Sequence, residues 1–258
     1  MSDRQPSRIS ATRLVAEGLV VVVSILIAFA LDAWWAERQL EREMAEDLAI
    51  VEYELAENIR LVKLTIDIMG RVVAANNTLI SELQAQAESP NLEIADTTLY
   101  WGLFINPTLD PSLGGIDAWI AAGRLAGIDS PVLRQRLASV RGKVEDVVEE
   151  QRVARDIGLR TIYPLIQDEI GDIGLVQDVF AAGLHIRQGA SVQEIPTSGV
   201  IPVPNSGALR FALRARTIWY EAAIREMLDF QAELEEIQAL VRAEMGASGN
   251  VTPNSEPG

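Results

Sequence analysis

Residues 36–62 read AERQLEREMAEDLAIVEYELAENIRLV, and the fold turns on how this stretch is spaced. Leu48, Val51, Leu55, Asn58 and Val62 recur at alternating steps of three and four. The series continues without a break through Thr65, Met69, Val72, Asn76, Leu79 and Leu83. Such spacing puts side chains on one stripe of an α-helix, and eight of the eleven positions are apolar. Ile59, Leu61, Leu64, Ile66, Ile68, Val73 and Ile80 widen the stripe beyond a two-stranded seam. The spacing therefore predicts a bundle helix in preference to a free coiled coil. Asn58 and Asn76 fall on the stripe, where polar residues fix register at some cost in stability. Ser89-Pro90-Asn91 predicts an end near residues 88–90.

Upstream, no breaker separates this helix from Gly18–Leu31, GLVVVVSILIAFAL, an uncharged run of 14 residues. Alone the run covers about 21 Å, short of a hydrocarbon core of about 30 Å. Extended from Leu14 to Trp35 it reaches about 33 Å, enough to span. Trp34 and Trp35 then occupy the aromatic belt, and Glu17 and Asp32 lie about one turn inside each boundary. Arg4, Arg8 and Arg13 predict a cytoplasmic N-terminus. A cleavable signal peptide is the rival reading, since Ala28-Phe29-Ala30 fits an A-x-A site. Against it, the helical pattern runs on past that site. A buried helix of a soluble protein is the third reading. Glu17, Val21, Ser24, Ala28, Asp32 and Trp35 fall within a sector of about 60° on the helical wheel. Small and polar residues on one stripe predict a helix–helix interface, within a homo-oligomer or with a membrane protein partner. The alternative is that both carboxyls simply reach the interfaces.

Downstream, residues 91–129 are irregular and rich in aromatics and Gly. Asp110-Pro111 reads as N-cap and first residue of a short helix carrying Ile116, Trp119, Ile120 and Leu125, closed by Gly123 and Gly127. The stretch is expected to pack over one end of the bundle. Ser130-Pro131 opens a second long helix, with Leu133, Leu137, Val140, Val144, Val147, Val148 and Leu159 on its apolar face and Pro164 to kink or end it. Residues 171–204 read as loop with one short helix near Val176–Ala182. Asn205-Ser206 caps a third long helix to about Met245, with Leu209, Leu213, Tyr220, Ile224, Leu228, Leu234 and Ile237 inward. The expected fold is all-α: a transmembrane helix continuing into an antiparallel bundle of about three long helices with short connecting helices. Its expected divisions are a cytoplasmic segment 1–13, the transmembrane helix 14–35, an extracytoplasmic bundle 36–246 and a disordered tail 247–258.

The charge of −15 disfavours nucleic acid and broad adhesion to anionic lipid. With no cysteine among 258 residues, disulfides, thiolate metal sites and Cys catalysis are excluded. His185 is the only histidine, so multi-His metal sites are excluded and a surface or loop role is expected. No G-x-S-x-G elbow, Walker loop, dinucleotide fingerprint or D-x-D-x-D-G loop occurs. The acidic runs at residues 37–47 and 145–150 read as solvated helix faces, partly balanced by Arg38 and Arg42. No catalytic residue, cofactor or metal is expected. Tyr100, Trp101, Phe104 and Trp119 are the candidate lining of a small-ligand pocket, with core packing as the alternative.

Two blocks carry a resemblance. Ser24-Ile25-Leu26-Ile27-Ala28-Phe29-Ala30-Leu31-Asp32-Ala33-Trp34 resembles the G-I-L-I-A-x-x-(I/V/L)-(N/D)-x-W anchor of a family of uncharacterised bacterial membrane-anchored proteins, with Ser24 for Gly and Trp35 for a polar residue. Ile116–Leu125, followed by Ile128, Asp129 and Leu133, is similar to that family's central segment. The resemblance implies a single-pass anchor in the bacterial inner membrane and a helical periplasmic domain, and it implies no catalytic residue. A non-enzymatic interaction or scaffold module is the expected function. An extracytoplasmic ligand sensor is the alternative; with about 13 cytoplasmic residues it signals through a partner membrane protein.

Overall fold

The computed structural model describes residues 11–170 and 200–249; His185 and the short helix expected near residues 176–182 lie outside them. Helix α1 runs unbroken from Ala11 to Ala85, 75 residues and about 110 Å. Helix α4 spans Pro131–Ile157 and α6 spans Gly207–Gly249. Between them lie β1 (Asn91–Ala95), α2 (Asp96–Leu99), α3 (Gly114–Ala121), α5 (Tyr163–Ile170) and β2 (Val200–Pro204). The all-α expectation holds, with one addition: β1 and β2 pair antiparallel, in stretches whose composition predicts irregular chain and loop.

Helix α6 is the middle member, antiparallel to both α1 and α4. Lys63 meets Glu235 at 2.9 Å and Glu52 meets Arg242 at 2.6 Å on one side. Arg136 meets Glu236 at 2.6 Å and Gln151 meets Met227 at 3.4 Å on the other. The three ion pairs, at the surface, add at most about 1 kcal/mol each, so the apolar stripes hold the bundle. Every residue of the eleven-position stripe of α1, from Leu48 to Leu83, is buried. The stripe of α6 is Leu209, Leu213, Arg216, Tyr220, Ala223, Met227, Phe230, Leu234, Ile237 and Val241, all buried. Leu228, expected inward, is exposed, because Met227 and Phe230 hold the three–four spacing.

The caps at both helix starts are as expected. Ser130 Oγ accepts from Leu133 N at 3.3 Å, and Ser206 Oγ accepts from Leu209 N at 3.1 Å. Three expectations are corrected. Helix α3 begins at Gly114, and Asp110-Pro111 does not cap it. Glu54 of α1 does so from across the bundle: its carboxylate accepts from Gly115 N at 3.1 Å and Ile116 N at 2.9 Å. A carboxylate opposite a helix N-terminus satisfies the open N–H groups and complements the dipole. Leu159 is exposed, because a π-helical turn, Gly158–Ile162, inserts after α4 and rotates the residues beyond it. Pro164 falls in α5 just past that turn, where its missing N–H leaves a carbonyl of the preceding turn open.

The small sheet accommodates two prolines for a geometric reason. Asn205 N donates to Pro90 O at 2.8 Å, which makes that pair a hydrogen-bonded one. In the observed register, Pro202 opposite Glu93 and Pro204 opposite Asn91 then fall in the alternate pairs, whose N–H groups point away from the partner strand. Leu92, Ile94 and Val203 turn inward onto a second apolar cluster with Leu79, Leu83, Ile162, Ile166 and Leu213.

Residues 17–37 are exposed throughout, and burial on α1 begins with Leu48. Among the described residues, α1 is the one helix long and apolar enough to cross a membrane.

Candidate functional site

Two regions hold the residues singled out from sequence. The first is the exposed N-terminal half of α1. The helix places Glu17, Ser24, Ala28, Asp32 and Trp35 along one stripe, all exposed. Ser24 Oγ donates to Val20 O at 2.8 Å, so the hydroxyl is satisfied within its own helix. Beyond the apolar run, Trp34, Trp35, Arg38, Gln39 and Arg42 line a concave patch of about 380 Å³. The Arg38 guanidinium lies 5.8 Å from the centre of the Trp34 ring and 3.6 Å from Glu41. The bundle starts close above: Arg124, just after α3, pairs with Asp47 and lies 3.7 Å from Glu43.

The second region is the segment from Tyr100 to Gly127. It does not cover one end of the bundle, as expected from sequence. It runs antiparallel along α1, from the level of Leu79 down to Glu43. Irregular backbone laid against a bundle must find partners for its N–H and C=O groups. Polar residues on the stripes of the three long helices supply them. Asn58 of α1 clasps Ser112: its Nδ2 donates to Ser112 O at 2.6 Å and its Oδ1 accepts from Ser112 N at 3.0 Å. Gln151 of α4, fully buried, accepts from Leu109 N at 2.7 Å. Arg216 of α6, also fully buried, donates to the carbonyls of Gly102 and Ile105, the latter at 2.5 Å.

Arg216 marks a polar layer across the molecule. Leu213 belongs to the apolar cluster by the sheet and Tyr220 to the larger one toward the exposed apolar run of α1. Asn76 lies between Val72 and Leu79 in the same way, and Gly158 between Ala154 and Ile162. Asn106 Oδ1 accepts from Arg216 Nη2 at 3.1 Å. Two π-helical turns, Tyr100–Phe104 and Gly158–Ile162, meet this layer. Each brings a glycine where an added Cβ would displace a neighbouring side chain: on Gly102 it would sit 2.5 Å from Leu79 Cδ1, and on Gly158 2.8 Å from Asn106 Oδ1. Among the described buried atoms, both amide atoms of Asn76, the Tyr100 hydroxyl and Arg216 Nε have no hydrogen-bond partner. Burial pushes the Tyr100 hydroxyl up to about 12, so it stays protonated.

The four aromatics suggested as a pocket are not gathered at one place. Tyr100 and Trp101 meet edge-on with ring centres 5.6 Å apart, and Phe104 touches both apolar clusters. The Arg71 guanidinium stands 5.5 Å from the Trp101 ring. Trp119 is buried on α3, whose start is held by Glu54, about 25 Å further down α1. Sequence reasoning missed Arg216, Gln151 and Glu54. The available signal was that Arg216 and Gln151 occupy core positions of a strict three–four stripe.

The fold and these two regions define a class: an all-α bundle built directly on an exposed apolar helix long enough to cross a membrane. No family model matches the chain, and no curated protein or solved structure matches it.

Proposed function

We propose that the chain is a single-pass protein of the bacterial inner membrane, with a cytoplasmic N-terminus and a periplasmic bundle. In this reading it acts without catalysis, as an interaction module that packs with itself or with a partner membrane protein. The observation that carries the reading is the continuity of α1, from the wholly exposed apolar run into the core of the bundle. An exposed run of Leu, Val, Ile and Phe costs free energy in water and is satisfied by lipid. Helix that continues unbroken through Ala28-Phe29-Ala30 favours an anchor over a cleaved signal. Arg4, Arg8 and Arg13 support the orientation. The anchor-like block Ser24–Trp34 supports the inner membrane through its resemblance to the bacterial membrane-anchored family. The stripe from Glu17 to Trp35 is the surface through which the span meets its neighbour.

Crosslinking in membranes tests this. The wild-type chain is expected to crosslink to a second copy or to another membrane protein. Glu17→Leu with Asp32→Leu is expected to weaken that crosslink several-fold, while bundle melting stays unchanged because both residues lie outside the core. A wild-type chain that stays monomeric and partnerless overturns the reading.

A second reading, an extracytoplasmic sensor, draws on the polar layer. Buried polar groups without partners are costly, so a ligand that supplied those partners would gain free energy. A small-molecule-induced change in the near-ultraviolet signal of Tyr100 and Trp101 would favour it.

A further inference from the structure

Just beyond the apolar run, two arginines share one face of α1 with two tryptophans, within a stretch (residues 36–47) that carries five carboxylates against those two arginines. Trp34, Trp35, Arg38, Gln39 and Arg42 share one face and enclose a concave surface. Among the described residues no carboxylate pairs with Arg42, and Arg38 has only Glu41, at 3.6 Å. We infer that this patch is a phosphate-binding clamp for lipid headgroups of the leaflet that faces the bundle, selective for anionic lipid.

Three observations converge on that occupant. Position comes first: Arg38 and Arg42 stand about 5 and 10 Å beyond the Trp pair along the helix axis, the depth of a headgroup layer. Direction is the second. Helical side chains slope toward the N-terminus of their helix, which here is toward the membrane. The structure shows that slope, since the Arg38 guanidinium stands over the Trp34 ring one turn earlier. Chemistry is the third. A guanidinium is a planar donor fork suited to phosphate, and indoles settle at the headgroup boundary. The gap is also bounded from above, because Arg124 pairs with Asp47 and Glu43 at the base of the bundle. The patch thus faces headgroups and not open solvent. A net charge of −15 disfavours adhesion of the body as a whole, so selectivity must arise locally.

The inference rests on the proposed membrane span. Its test is the full-length chain reconstituted in two vesicle types, phosphatidylcholine alone and phosphatidylcholine with three-tenths phosphatidylglycerol. Insertion is scored by resistance to alkaline extraction, and lipid selectivity by spin-labelled phosphatidylglycerol against spin-labelled phosphatidylcholine. One guanidinium near a headgroup layer corresponds to about a fivefold preference. With Glu41 offsetting part of Arg38, the wild-type chain is expected to prefer phosphatidylglycerol by about fivefold. Arg38→Gln with Arg42→Gln is expected to stay inserted and to show a ratio near one. Equal ratios for inserted wild type and inserted variant overturn the clamp and leave the span standing. Failure of the wild-type chain to insert overturns the span itself, and the clamp with it.

Discussion

Arg216 shows how much a single residue does here. It lies wholly inside the protein, among the described residues no carboxylate pairs with it, and its partners are carbonyl oxygens, Asn106 and the Tyr220 hydroxyl at 3.4 Å. A buried cation is tolerable where it ends on the open carbonyls of a helical turn, as it does after Tyr100–Phe104. Arg216→Met keeps the volume and removes the donors, leaving two carbonyls open. It is expected to cost about 3 kcal/mol in denaturant unfolding. Arg216→Lys is expected to rescue little, since one ammonium cannot reproduce the fork. Glu226 is the complementary case. Burial, with Glu150, Asp146 and Asp229 beside it, raises its carboxyl to about 6. A carboxyl raised in the folded state holds its proton more tightly there than in the unfolded chain, so folding is favoured as pH falls from above 6 toward 4.5. Denaturant midpoints at pH 7.5 and 5 are therefore expected to rise on acidification for the wild-type chain, relative to Glu226→Gln. A difference between the two proteins that does not change with pH contradicts this assignment.

At the scale of elements, the stripe of α1 was legible because helical burial follows a period that apolar residues report faithfully. All eleven stripe positions are buried, and both serine caps close the helices they precede. The way α1 meets the crossing segment was not legible. Asn58 has the position of a register-fixing residue between helices, and its partner is the peptide of Ser112, fifty-four residues away. The Glu54 cap of α3 was hidden for the same reason: local cap rules see Asp110-Pro111 and not a carboxylate from another helix. The sheet was hidden because prolines at 202 and 204 read as loop, although alternate strand positions need no N–H. Of the candidate site residues, the stripe from Glu17 to Trp35 follows from helical geometry alone, while the aromatics at 100–119 depend on a path that no local pattern encodes. The two views of Asn58 separate experimentally. If the residue set register between apolar helices, Asn58→Leu would stabilise the bundle and change its association. The observed clasp predicts the opposite: a loss of about 2 kcal/mol with association unchanged, measured by denaturant unfolding and sedimentation.

For the whole molecule, the consequence of a single α1 is mechanical. The exposed apolar run and the bundle share one helix, so displacement or rotation of either end is carried to the other without a hinge. Among the described residues no glycine or proline interrupts α1 between Arg38 and Leu48, where the helix leaves the patch and enters the core. An interaction module and a sensor both need such a link, and this is the central structural claim on which either function depends. The absence of native cysteine makes it directly measurable. Spin labels at Leu31→Cys and Arg60→Cys, both exposed positions, on the full-length chain in lipid nanodiscs report the distance across the junction. A continuous helix predicts one narrow distribution centred at about 44 Å. A broad distribution, or one centred well below that value, would show a break between the apolar run and the bundle and contradict a continuous α1.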